Sequence, residues 1–239
     1  MSGLPLFGMF IDPFYLMILA PGFILATWAS FKVKGNFSKY KRVRSASGMT
    51  GAQVAREILR RNRLDDVQVE KTGGALSDHY DPRTRTVRLS PEVYDLPSVA
   101  SVAVAAHEVG HALQHAKDYA PLALRSAAVP IARLGSWAPW IIMIGGFLLH
   151  SIEAVYAGVF LFTGVVAFQL ITLPVEFNAS SRAKIQLQEL GLVSASDSRG
   201  VSKVLSAAAM TYVAGALTAI LTLLYYLIRL GIIGGNSDD

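Results

Sequence analysis

VASVAVAAHEVGHALQHA, residues 99–116, sets His107, Glu108 and His111 in the pattern His-Glu-x-x-His within an Ala-rich apolar run. The run predicts a helix, with Pro97 and the N-cap residue Ser98 as its start signal. Four helical residues turn through about 400° and rise about 6 Å, so His107 and His111 share a face and can grip one metal ion. Glu108 lies beside that face, where a carboxylate takes a proton from an attacking water without being a ligand. The pattern therefore points to hydrolysis at a zinc centre. Gly110 costs about 1 kcal/mol against Ala in a helix interior. Close approach of another segment on the metal side accounts for it.

Two histidines do not complete a catalytic site, which normally has three protein ligands. His115 stands eight residues beyond His107, about 12 Å along the same helix, so it cannot converge with the other two. It is expected to cap, or to lie just outside the ligand shell. A metzincin would need Gly at 114 and His at 117, where this chain has Gln114 and Lys117. A Glu from a second helix remains, and LPVEFNASSR, residues 173–182, offers Glu176 directly after a long apolar segment.

The chain has 239 residues, 52% of them hydrophobic and only 16% charged, with mean hydropathy +0.41. That is too apolar for an ordinary soluble domain and points to the membrane, with the lipid bilayer as a partner. Without cysteine, no thiolate binds the metal and no disulfide staples the fold. The net charge of +5 follows from topology rather than from a nucleic-acid partner, and none is expected.

Phe14 to Phe31 carries no charge, and residues 11–31 are expected to form a first transmembrane helix, kinked at Pro21-Gly22 and left uncleaved. Lys32, Lys34, Lys39, Lys41, Arg42 and Arg44 then mark the cytoplasmic side, leaving the N-terminus outside. Residues 32–126 read as a small cytoplasmic α+β domain. In it, Thr50 and Gln53 form a capping-box pattern before an amphipathic helix, and Ser90-Pro91-Glu92 opens a helical turn. Val67–Val69 and Thr86–Leu89 read as the strands of a hairpin-like sheet. Between them, an exposed strand edge around His79 and Tyr80 is suited to hold an extended peptide, and either side chain could donate to an oxyanion.

Residues 127–149 form a second apolar helix, short for a span in its uninterrupted part; 154–175 form a third and 207–229 a fourth. Residues 176–206 read as cytoplasmic helices broken at Gly191 and Gly200, and the tail 234–239 as disordered. With 32–136 and 176–206 on one side, 21 of the 22 Lys and Arg share it and only Arg229 lies opposite. His107, His111 and Glu176 then share that side too. The expected fold is mainly α, with about four transmembrane helices.

LSDHYDPRTRTVRLS (76–90), VAVAAHEVGHALQH (102–115), LPVEFNASSRA (173–183) and VLSAAAMTYVA (204–214) together resemble the YugP-type bacterial membrane zinc metallopeptidases, distant relatives of the HtpX-like gluzincins. The resemblance covers nearly the whole chain. It implies a multi-pass protein of the bacterial inner membrane, with Zn2+ held by His107, His111 and Glu176 and Glu108 as general base. The zincin-like domain would face the cytoplasm. Asn178 and Ser180 depart from the pattern, each standing where an Asp is expected. Arg182 is a candidate for positioning substrate or stabilising an oxyanion, against a plain pairing with a surface acid. The implied function is a zinc endopeptidase acting on membrane or membrane-proximal proteins. The rivals are an intramembrane-cleaving protease and a non-catalytic metal-binding scaffold. A homo-oligomer or membrane partner proteins stay open.

Overall fold

The computed structural model describes residues 12–135 and 137–233. The expected tail 234–239, Ile11 of the first span and Ser136 lie outside them. The fold is mainly helical with one small sheet. Its elements are α1 (Pro13–Lys41), α2 (Gly51–Arg61), β1 (Gln68–Lys71), β2 (His79–Asp81), β3 (Thr86–Leu89), α3 (Pro91–Asp95), α4 (Val99–Ala116), α5 (Ala120–Gly135), α6 (Ala138–Leu148), α7 (Ile152–Glu189) and α8 (Ala195–Arg229). Among the described residues four helical stretches are long and apolar enough to cross a membrane: α1, the run Ala120–Leu148, α7 and α8. Contacts divide the chain into two compact units, and α1, α7 and α8 each contribute a stretch to both.

The first unit takes Met1–Trp28, Leu124–Thr172 and Tyr212–Asp239. Its apolar clusters form around Met143, Val159, Tyr225 and Tyr226, and around Phe162, Val166 and Ala219. Glycines set its closest helix contacts. A Cβ at Gly22 would lie 2.7 Å from Thr218 Oγ1, and one at Gly158 would lie 2.4 Å from Met143 Cγ. Arg229, the cation that charge distribution sets apart, pairs with the buried Asp12, which also accepts from the Tyr225 hydroxyl at 3.0 Å.

The second unit takes Ala29–Ala123 and Leu173–Thr211. Its core gathers Val54, Ile58 and Leu59 of α2, Val87 and Leu89 of β3, the apolar residues of α4, and Ala183, Leu187 and Leu205. α2 begins as its sequence dictates: Thr50 Oγ1 accepts from the Gln53 amide, and Gln53 Oε1 from the Thr50 amide at 2.9 Å. The two strands legible in the sequence do not form a hairpin with each other. β1 and β3 pair in parallel, Gln68 opposite Thr86, because the connection between them crosses over and contributes β2. β2 pairs antiparallel with β3, His79 opposite Arg88, and sits at the edge of the sheet order β1-β3-β2.

Gly191, at φ +63°, ends α7 in the left-handed conformation that favours glycine. Gly200 does not break a helix. It lies inside α8, where a Cβ would meet the Tyr40 ring and Val99 Cγ1 at 2.8 Å. Its missing side chain serves packing rather than a turn.

Candidate metal centre

α4 starts where Ser98 Oγ accepts from the Ser101 amide at 3.1 Å, and it is buried along most of its length. Its apolar face packs on α2 and the sheet, and the ligand face meets residues 173–189 of α7. The two backbones touch at Gly110: a Cβ there would lie 2.5 Å from the carbonyl oxygen of Ala179. Ala179 stands between Glu176 and Ser180, so this contact brings both side chains to the histidines.

His107 Nε2 lies 3.1 Å and His111 Nε2 3.6 Å from the same oxygen, Oε2, of Glu176. The ligand atoms of the three residues all fall within 4.8 Å of one another. Nitrogen and oxygen ligands at their usual distances from a tetrahedral zinc stand about 3.3–3.5 Å apart. The two separations straddle that value. The donor set suits zinc, and the site is nearly closed to solvent, with Glu176 only 2% exposed.

Hydrogen bonds fix which ring nitrogen of His111 faces the carboxylate. The Val175 carbonyl can only accept, so it takes a hydrogen bond from Gln114 Nε2 at 2.8 Å. Gln114 Oε1 is then the atom 3.0 Å from His111 Nδ1, and that nitrogen carries the proton. In the neutral imidazole that a metal ligand requires, His111 Nε2 then presents its lone pair toward Glu176 Oε2, and the two atoms can share one metal ion. On His107, Nδ1 lies 3.1 Å from Ser180 Oγ, so the neutral hydroxyl occupies the place where an Asp was expected.

Glu108 follows His107 on α4 and is buried at 8% exposure. His79 and Tyr80 lie on the edge strand β2, outside the group of three. His79 is exposed, with Nδ1 2.8 Å from the Ser77 carbonyl oxygen. The Tyr80 hydroxyl lies 2.8 Å from Nδ1 of His115, which ties β2 to the last turn of α4. Burial pushes the Tyr80 hydroxyl above its ordinary range, with Arg85 pulling partly back, so it stays protonated at neutral pH. Arg182 Nε donates to Asn178 Oδ1 at 2.7 Å, and its guanidinium stands 5.9 Å from the Tyr119 ring.

Sequence reasoning passed over Gln114, noting it only as a departure from another enzyme class. One signal was available. Gln114 is three residues past His111 and seven past His107, a polar residue on the ligand face of an Ala-rich helix, and the structure buries it fully.

Because two backbones meet at Gly110, Gly110→Ala is expected to destabilise the protein by about 1–3 kcal/mol despite the gain in helix propensity. Zinc affinity falls with it, since Ala179 must retreat and carries Glu176 and Ser180 along. Gly35→Ala on α1, where a Cβ meets nothing within 4 Å, is the control and leaves stability equal or raised. Thermal melting and chelator competition on both variants check this.

Comparison with known proteins points to a zinc-dependent family. A family model described as "Putative neutral zinc metallopeptidase" matches residues 15–231. A Bacillus subtilis (strain 168) protein named "Putative membrane protease YugP" is 50% identical over 212 residues, covering 89% of this chain and 93% of the relative. No solved structure matches the chain. With a family model spanning almost its whole length and a relative of the same extent, the chain belongs to this zinc metallopeptidase family.

Proposed function

We propose that the protein is a membrane-anchored zinc endopeptidase that cleaves membrane or membrane-proximal proteins at the cytoplasmic face. The observation that carries this reading is the convergence of His107, His111 and Glu176 on a space of zinc dimensions, with Glu108 beside it on α4. His107 and His111 would hold zinc through Nε2, and Glu176 through a carboxylate oxygen. Zinc held there would supply Lewis acidity to the scissile carbonyl and to the attacking water. Glu108 then takes the proton from the attacking water and passes it to the leaving amine. Ser180 Oγ and Gln114 Oε1 stand within hydrogen-bond distance of Nδ1 of His107 and of His111. The edge strand β2 offers backbone groups to an extended peptide, and the Tyr80 hydroxyl can donate to the developing oxyanion in the tautomer where His115 Nδ1 donates to it.

The charge pattern supports the orientation. Residues 32–126 and 176–206 carry nearly all the Lys and Arg and would lie in the cytoplasm, with spans over 11–31, 127–149, 154–175 and 207–229.

Metal removal tests the activity. Detergent-purified protein should cut an unfolded protein substrate, lose that activity to a zinc chelator and regain it when zinc is returned. The absence of native cysteine makes the orientation testable in the same protein. In intact cells, a membrane-impermeant maleimide should label Leu149→Cys and spare Arg63→Cys. Labelling in the reverse order would place the site on the other face.

A further inference from the structure

The zinc reading leaves open what holds the ligands still, and one buried side chain touches the supports of two of them. We propose that Gln114 is a positioning residue that sets His111 and Glu176 together. Gln114 Oε1 accepts from His111 Nδ1 at 3.0 Å, which turns that imidazole so that Nε2 faces the site. Its Nε2 donates at 2.8 Å to the carbonyl of Val175, the residue preceding Glu176, and at 3.0 Å to Asn178 Oδ1. One amide thereby spans from α4 to the turn of α7 that presents the carboxylate ligand.

The amide cannot work in the other orientation. Arg182 Nε donates to Asn178 Oδ1 at 2.7 Å, so that oxygen accepts from Gln114 and the Val175 carbonyl does the same. A flipped Gln114 would set its oxygen against two acceptors, the Val175 carbonyl and Asn178 Oδ1. The polarity of the chain Arg182, Asn178, Gln114, His111 is fixed from its outer end. Every polar atom of Gln114 is used, and the residue is 0% exposed.

A merely buried, satisfied glutamine would matter for stability alone. A positioning glutamine matters for metal affinity and for ligand geometry. Partners of metal-ligating histidines typically change metal affinity about 10–100-fold when removed. Gln114→Met keeps the length and apolar bulk but makes none of the three hydrogen bonds. Gln114→Glu keeps an acceptor for His111 Nδ1 but opposes the Val175 and Asn178 oxygens, so it restores only the imidazole half of the tie.

The test is zinc affinity by chelator competition and the absorption spectrum of the Co2+-substituted protein, on the full chain in detergent. The proposal expects Gln114→Met to bind zinc about 10–100-fold more weakly with an altered Co2+ spectrum, and Gln114→Glu to fall between it and the wild type. If Gln114→Met does not fold, Asn178→Ala, at a half-buried position, takes its place and is expected to weaken zinc severalfold. Wild-type affinity and spectrum in Gln114→Met, or in Asn178→Ala where that replaces it, would overturn the proposal. This inference rests on the zinc reading, and the two fail differently. A wild-type chain that binds no zinc defeats the reading, whereas equal zinc binding by wild type and variant defeats only the role of Gln114.

Discussion

Replacing Glu108 by Gln is expected to lower the rate of peptide cleavage by about 10²–10⁴-fold while zinc stays bound. That loss corresponds to about 3–5 kcal/mol of transition-state stabilisation. Glu108 is buried beside His107 on α4 and is not one of the three converging ligand residues. The Gln side chain keeps its volume and hydrogen-bonding reach but cannot take a proton. Metal content and melting temperature should therefore match the wild type while turnover collapses. The same variant separates an enzyme from a metal-binding scaffold, which has no use for a base. Equal cleavage by Glu108→Gln and wild type would remove Glu108 from the chemistry.

The second large effect is expected at Glu176. Its Oε2 is the atom both histidines face, at 3.1 and 3.6 Å, and it carries the charge that a bis-imidazole pair lacks. Glu176→Ala should lose zinc by more than the 10–100-fold typical of a supporting residue, because a ligand itself is gone. Glu176→Gln distinguishes charge from shape. It fills the same buried space, so a variant that folds normally but does not retain zinc would assign the loss to the missing carboxylate. Cleavage should fall with zinc in both variants.

The grouping of His107, His111 and Glu176 was legible in the sequence in large part, for a reason of geometry. His107 and His111 are neighbours on any helix, so the spacing alone places them. Gly110 was equally readable, since a glycine in an Ala-rich helix asks for a close neighbour, and the Ala179 carbonyl is that neighbour. Glu176 needed more, because no local rule links it to His111, 65 residues earlier; the exclusion of nearer ligands and the family resemblance supplied it. What could not be read was the pairing of the sheet. β2 is three residues long and alternates weakly, so the parallel match of β1 with β3 left no trace in local pattern. Gly200 misled for a related reason. A glycine that ends a helix and one that admits a neighbouring ring look alike in sequence, and only the Tyr40 contact distinguishes them. Gln114 was visible on the ligand face, but its partners Val175 and Asn178 come from α7, and a tertiary contact decides its role.

The most direct test of the central claim is the zinc content of the detergent-purified protein by elemental analysis, wild type beside Glu176→Ala and Glu108→Gln. The account predicts about one zinc per chain in the wild type and in Glu108→Gln, and close to none in Glu176→Ala. Zinc retained in full by Glu176→Ala, or absent from the wild type, would contradict it.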